Sequence, residues 1–231
     1  CYVSRVSESC AALNQAGLGR TELSTVSLHH IRPFIITDLD IISLSAQFEL
    51  GNGAPGFVLS TMGINGMRQS SLWFSYGLKL FTGVYAGAGF HVRNTGLANE
   101  FFFHLETGYA LGIQFRVNEK LLLGAHLYDP SAWQQKKTGG RRQSLCITTG
   151  FSYFFYKTAK YHSEIQVSPG KTLRWCNGME ILISETLSLY LGLSNQPWAL
   201  SLGFSLKYRK WKSHMAGSYC LDTGTTPCTS L

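Results

Sequence analysis

The sequence predicts an all-β protein, a transmembrane antiparallel β-barrel of about 14 strands with short turns. Three observations support this prediction: one long alternating segment, a low charge content, and recurrence of the alternation along the chain. In residues 101–120, one face carries apolar side chains from Phe101 to Val117, whereas the other face carries charges and glycines. Because successive side chains of a strand point to opposite faces, we expect one face to contact lipid and the other to line a lumen.

The composition favours a membrane barrel over a helical membrane protein or an ordinary globular domain. Hydrophobic residues make up 45% of the 231 residues and charged residues only 14%, against about 25% charged residues in globular proteins. No window approaches the roughly 18 consecutive apolar residues of a membrane-spanning helix. The 14 Phe and 11 Tyr suit strands and membrane interfaces, and the 24 glycines suit a crowded inner wall.

Turn signals divide the first half of the chain into alternating segments. The turns are Pro33 to Asp38, GNGAPG at 51–56, Asn65-Gly66, Thr82-Gly83 and Asn118 to Lys120. We expect strands at residues 22–31, 42–50, 57–64, 71–80, 84–93, 101–117 and 121–127. Residues 1–21 are predicted to be an irregular N-terminal segment, and residues 22–231 the barrel.

The second half repeats the pattern, with turns near 157–160, 168–171, 184–186 and 195–197. Strands are expected at residues 145–155, 161–168, 173–183, 187–194, 200–209, 213–221 and 226–231. An even strand count brings both termini to one end, which we expect to be periplasmic. Every second turn is short, and the longer connections fall on the opposite, extracellular side. A soluble β-sandwich, the alternative, would not need strands this uniform.

The start of the sequence, CYVSRVSES, lacks the apolar core of a signal peptide. Location in a Gram-negative type outer membrane therefore implies that a signal peptide has been removed. The six cysteines show no CxxC pattern, which argues against zinc, and no cofactor is expected. Cys1 with Cys10 and Cys220 with Cys228 are candidate local disulfides, and free thiols remain the alternative.

The predicted inner face carries charges of both signs. Two interpretations stay open: a selectivity surface, or a network of paired charges that stabilises the lumen, which we favour. The members of this network are His91, Arg93, His104, Glu106, Arg116, Arg174, Glu180 and Lys207. Bulky inward aromatic residues such as Trp73 and Tyr128 indicate a partly filled lumen, and only residues 1–21 are free to enter it.

The pattern predicts neither an enzyme nor a nucleic-acid-binding protein. The pairs His162-Ser163 and Ser213-His214 point to opposite faces of their strands, so neither forms a nucleophile with its base. The net charge of +7 is spread along the chain without a dense tract. The most basic segment is QQKKTGGRR at 134–142. Its Lys136, Lys137, Arg141 and Arg142 are predicted to contact lipopolysaccharide anions or a partner protein at the outer rim.

Residues 11–20, AALNQAGLGR, followed by the strands and short turns, resemble the FadL-like outer-membrane barrels of Bacteroidota, specifically the PorV/PorQ type. The N-terminal segment of that group carries an NPAGL motif. Asn14, Ala16, Gly17 and Leu18 match it, and Gln15 replaces the proline. The chain is shorter than members of that group. We expect it to lack the long loops and the segment inserted in the lumen with which FadL-type transporters bind a hydrophobic ligand.

The resemblance implies a non-enzymatic accessory subunit of a larger outer-membrane complex, in protein secretion such as type IX or in outer-membrane protein assembly. Its partners would be outer-membrane lipid, lipopolysaccharide and other outer-membrane proteins. The alternative is a small FadL-like channel or transporter for hydrophobic or small solutes.

Overall fold

The computed structural model describes residues 10–36, 39–64, 66–97, 103–129, 145–156, 158–221 and 223–231. The chain forms a closed barrel of 14 strands in which each strand pairs with its neighbours in sequence and the first strand pairs with the last. All these pairs are antiparallel. The predicted fold class is confirmed. No helix of the described ranges is long and apolar enough to cross a membrane.

The strands follow the predicted order. They are β1 Thr25–Ile31, β2 Ile41–Gln47, β3 Gly53–Ile64, β4 Met67–Phe81, β5 Val84–Leu97, β6 Phe103–Arg116, β7 Leu121–Tyr128, β8 Cys146–Tyr156, β9 Ala159–Val167, β10 Arg174–Leu182, β11 Leu187–Asn195, β12 Trp198–Tyr208, β13 Trp211–Cys220 and β14 Gly224–Ser230. Before β1 lie α1 (Cys10–Leu13) and a 3₁₀ helix (Gln15–Arg20), and a second 3₁₀ helix, Pro33–Ile35, follows β1.

The turn predicted at 51–56 is shorter than expected. Leu50 and Gly53 form a bridge, so Gly51 and Asn52 alone make the turn. Gly51 has a φ of 60°, a conformation that glycine adopts without steric cost. The third strand therefore begins at Gly53, four positions before its predicted start.

The outer surface of the barrel is apolar because side chains alternate along each strand. In β12, Leu200 and Leu202 are 60% and 61% exposed, whereas Gly203 and Ser205, which point to the opposite face, are buried. Leu200 lies opposite Leu193 of β11, and Leu202 lies opposite Leu191, so apolar rows continue from strand to strand. Such a surface would be unfavourable in water and fits the hydrocarbon layer of a bilayer.

Fourteen strands place the start of β1 and the end of β14 at the same end of the barrel, here called the terminal end. The opposite end is called the loop end and carries the long connection 129–145 between β7 and β8. Also at the loop end, Asp40 accepts hydrogen bonds from Arg32 at 2.8 and 3.1 Å and lies 2.9 Å from Nε2 of His30. The hydrogen bond from Arg32 is the main cause that lowers the pKa of Asp40 to about 2.

The N-terminal segment lies inside the barrel. Residues 10–20, here called the inserted segment, pack against β3, β4, β5 and β6. Ala16 and Leu18 are completely buried there. The expectation that the chain lacks a segment inserted in the lumen is therefore wrong. A segment this short fills only part of the lumen.

The candidate disulfide between Cys220 and Cys228 is not formed, and both residues keep their thiols. Cys220 lies opposite Gly224, whereas Cys228 lies opposite Ala216, four positions farther along β13. Cα atoms this far apart cannot be bridged. Cys146 and Cys176 are also free, and Cys1 lies outside the described residues.

A charge on the lipid-facing surface tests the position of the membrane. We expect Leu202→Arg to destabilise the folded barrel by about 2–4 kcal/mol, the cost of arginine at mid-bilayer depth. Urea titration of the protein refolded into liposomes measures this cost. The control is Leu221→Arg, the same substitution at an exposed turn residue after β13. Equal stability of the two variants would contradict a membrane-embedded outer surface.

Candidate functional site

A row of glycines on the inner wall makes room for the inserted segment. Gly77 of β4, Gly87 of β5 and Gly112 of β6 are register partners and form one line across three strands. A Cβ atom added at Gly87 would collide with the backbone of Gln15, and one added at Gly112 would collide with Asn14. The recess therefore exists because these positions lack side chains.

Polar contacts fix the inserted segment in this recess. Oδ1 of Asn14 accepts a hydrogen bond from the backbone N–H of Ala16 at 3.2 Å and so caps the 3₁₀ helix. Nδ2 of Asn14 donates to the carbonyl of Ala125 on β7 at 3.4 Å. Ser75 of β4 donates from Oγ to the carbonyl of Ala11 at 2.6 Å. Asn14, which matches the NPAGL motif, thus joins the segment to the wall.

Three stacked rings cover the inserted segment within the lumen. The rings of Trp73 and His91 have centroids 4.4 Å apart, and those of His91 and Tyr128 have centroids 5.2 Å apart. The hydroxyl of Tyr128 lies 3.0 Å from Nε2 of His91. Trp73 belongs to the same apolar cluster as Ala11 and Leu18, and Tyr128 packs against that cluster. The stack therefore joins β4, β5 and β7 over the segment.

Asp129 is a buried carboxylate that sequence reasoning missed. It follows the last residue of β7, is fully buried, and its Oδ1 accepts a hydrogen bond from the backbone N–H of Tyr109 at 3.3 Å. A Cβ atom at Gly108 would collide with both Asp129 and His91, so this glycine makes space for both. The sequence offers no signal for this position, because Asp129 stands in a connection rather than in a regular strand.

The structure brings one pair of the predicted charge network together. Arg93 and Glu106 are cross-strand partners of β5 and β6, with Nη1 and Oε2 3.4 Å apart. Glu180 instead lies 3.5 Å from Nζ of Lys160, which was not in the predicted network. A role of the whole set in selectivity or stability stays a prediction.

Of the other predicted site residues, His91 and His104 flank that pair two positions away along β5 and β6, whereas the rest of the described ones belong to other parts of the barrel. Arg116, Arg174 and Lys207 are exposed near strand ends. His91 belongs to the ring stack, and the backbone of His104 lies opposite Thr95. The predicted rim residues Lys136, Lys137, Arg141 and Arg142 lie outside the described residues.

A polar chain of Ser152, His162 and Glu180 crosses three adjacent strands, and sequence reasoning missed it. Oγ of Ser152 lies 2.6 Å from Nδ1 of His162, whose Nε2 is 4.0 Å from Glu180. Ser152 is only 1% exposed, so an acyl substrate has no access to its hydroxyl. We interpret the chain as structural. Among the described ranges, no group of three or more His, Cys, Asp or Glu could hold a metal ion.

A cavity of about 670 Å³ occupies the part of the lumen that the inserted segment leaves unfilled. Ala12 and Leu13 of the segment form one side of it, and the walls of β7 to β13 form the other. The lining includes His126, Glu164, Gln166, Arg174, Tyr190 and His214. Lys171, in the connection after β9, also lines it, so the cavity reaches the loop end.

The glycine row predicts how the inserted segment can be displaced. In a variant with all native cysteines replaced by serine, Ala11→Cys should react slowly with a water-soluble maleimide because Ala11 is buried. Adding Gly87→Val should speed this reaction, because the new side chain collides with the backbone of Gln15. Gly96→Val on the same strand is the control, since nothing lies within 4 Å of a Cβ atom there. Equal labelling rates in the two variants would contradict the recess.

Comparisons with known proteins find similarity in solved structures alone. No protein-family model and no curated protein matches the chain. The CymD monoaromatic hydrocarbon channel is 11% identical, with a TM-score of 0.72 over 100% of this chain and 93% of that one. The Pseudomonas putida toluene transporter TodX is 11% identical, with a TM-score of 0.73 over 99% and 93%.

A Pseudomonas aeruginosa FadL homologue is 10% identical, with a TM-score of 0.65 over 99% of this chain and 94% of that one. The structural neighbours are thus FadL-family outer-membrane β-barrels. At this level of identity the likeness establishes the fold alone.

Proposed function

We propose that the protein is a non-enzymatic outer-membrane channel or transporter for small solutes, built on a FadL-like barrel. The observation that carries the proposal is the lumenal cavity of about 670 Å³ beside an inserted segment that fills only the β3–β6 side. A barrel that served only as a scaffold would gain stability from a filled lumen, because packed side chains contribute dispersion energy that a cavity lacks.

The fold neighbours favour this function over an accessory subunit. Two of the structural neighbours are a monoaromatic hydrocarbon channel and a toluene transporter. The apolar outer surface also supports an outer-membrane location. The PorV/PorQ type, an origin in Bacteroidota, removal of a signal peptide, and contacts with lipopolysaccharide or other outer-membrane proteins stay predictions.

The geometry suggests where a solute would move. The inserted segment blocks the lumen next to β3–β6, so passage is confined to the side of β8–β13, where the cavity reaches the loop end. Transport would be passive. A barrel of this kind provides a route through the membrane, and the described residues include no source of energy to drive transport.

Conductance in planar bilayers tests the proposal. We expect the purified protein to conduct ions and Gly192→Trp to lower the conductance several-fold. Gly192 lines the cavity. A Cβ atom added there would have the Cβ of Ser201 as its nearest neighbour, at 3.3 Å, so the indole of the tryptophan must extend into the open space of the cavity.

The matched control is Gly217→Trp. Gly217 lies opposite the lipid-facing Leu202, and nothing lies within 4 Å of a Cβ atom there. This variant should conduct like the unchanged protein. Absence of conductance in the unchanged protein would overturn the channel function. If the unchanged protein were then recovered from mild detergent in stoichiometric amounts with other outer-membrane proteins, the accessory-subunit function would be favoured.

A further inference from the structure

We infer that the cavity admits small hydrogen-bonding solutes without net charge, the class of sugars and neutral amino acids, and excludes hydrocarbons. The inference rests on the proposed channel function and deepens it. It departs from the solutes of two structural neighbours, which are a monoaromatic hydrocarbon channel and a toluene transporter.

The polarity of the inner wall carries the first step. On β8, β9 and β10 the cavity is lined by Thr148, His162, Glu164, Gln166 and Cys176. The apolar side chains of the same strands, such as Ile147 and Ile165, are exposed on the outer surface. Alternation has therefore placed polar side chains on the lumen side of these strands. They line the cavity together with apolar atoms, which come from Ala12 and Leu13 of the inserted segment and from β10 to β13.

A hydrocarbon would bind unfavourably in such a cavity. Transfer of a hydrocarbon out of water is favourable only when apolar surface replaces the water around it. Against Thr148, Gln166 and Ser201 it would instead displace water from groups that it cannot hydrogen-bond. Small polar solutes can replace those water contacts with hydrogen bonds of their own.

His126 offers a specific hydrogen-bonding group. It lines the cavity, is only 8% exposed, and its Nε2 has no hydrogen-bond partner among the described residues. A buried polar atom without a partner is costly unless water or a ligand satisfies it. A solute hydroxyl or amino group at this nitrogen would do so.

The charges that line the cavity balance each other. Lys171 and Arg174 contribute positive charge, and Glu164 and Glu180 contribute negative charge. A cavity with both signs in equal number does not favour anions over cations, unlike the single-sign rings of ion-selective pores. This balance points to neutral or zwitterionic solutes. The volume of about 670 Å³ lies within the usual range for small-molecule sites, about 300–1,000 Å³.

The test uses two assays with the full chain. Swelling of proteoliposomes in arabinose, glucose or glycine reports the flux of polar solutes. Uptake of radiolabelled toluene by intact cells of a porin-deficient Gram-negative host reports the flux of hydrocarbon across a lipopolysaccharide-containing membrane. We expect swelling with sugars, with glycine, or with both, and no toluene uptake above that of cells without the protein.

A lumen variant identifies the polar wall as the cause. Thr148→Val/Gln166→Leu/Ser201→Val makes the lining apolar with little change in volume and should slow swelling several-fold. The control, Thr149→Val/Ser163→Val, makes similar changes on the outer face of β8 and β9 and should leave swelling unchanged. Heat-modifiable mobility on gels checks that each variant is folded.

Each outcome is decisive. Toluene uptake above background, with or without polar-solute flux, or equal swelling of the lumen variant and its control, would overturn the inferred solute class and leave the channel intact. Absence of conductance, swelling and toluene uptake would overturn the proposed function itself, and the solute class with it.

Discussion

The structure depends on one constraint: within a hydrocarbon layer, every backbone N–H and C=O must find a partner in the protein. An open sheet cannot meet this requirement, because each edge strand has a row of unpaired groups. Here β1 and β14 close the sheet through the register of His29 with Ser230 and Ile31 with Cys228. Side chains alternate between the two faces of every strand. In a closed barrel one face is the outer surface, which is apolar here, and the other lines the lumen.

Closure leaves an interior to be filled, and the chain fills it unevenly. The row of Gly77, Gly87 and Gly112 lets the inserted segment approach the wall at backbone distance, and Asn14 and the rings of Trp73 and His91 hold it there. The walls of β8 to β13 face the remaining space with polar side chains and with apolar atoms. The two halves of the lumen therefore differ: one is packed against the inserted segment, and the other holds the cavity through which we propose that solutes pass.

Much of the fold could be predicted from the sequence because alternation is a local signal. The alternation along each strand placed Arg93 and Glu106 on the inner face, and the structure pairs them across β5 and β6. Residues 1–21 were named as the only segment free to enter the lumen, but its insertion and its recess were not predicted. The segment carries no periodic pattern, and the recess appears only when register aligns glycines from three strands. The same limit applies to Ser152 and His162, which are neighbours through strand pairing and not through sequence spacing.

A water-filled path on the β8–β13 side of the lumen, as we propose, can be tested directly at Cys176, which lines the cavity on β10. The measurement is the conductance of a variant in which every other cysteine is serine, before and after reaction with a small charged thiol reagent. We expect Cys176 to react and the current to fall once it has reacted. A current that is unchanged after complete modification of Cys176, or a thiol that never reacts while the barrel conducts, would contradict it.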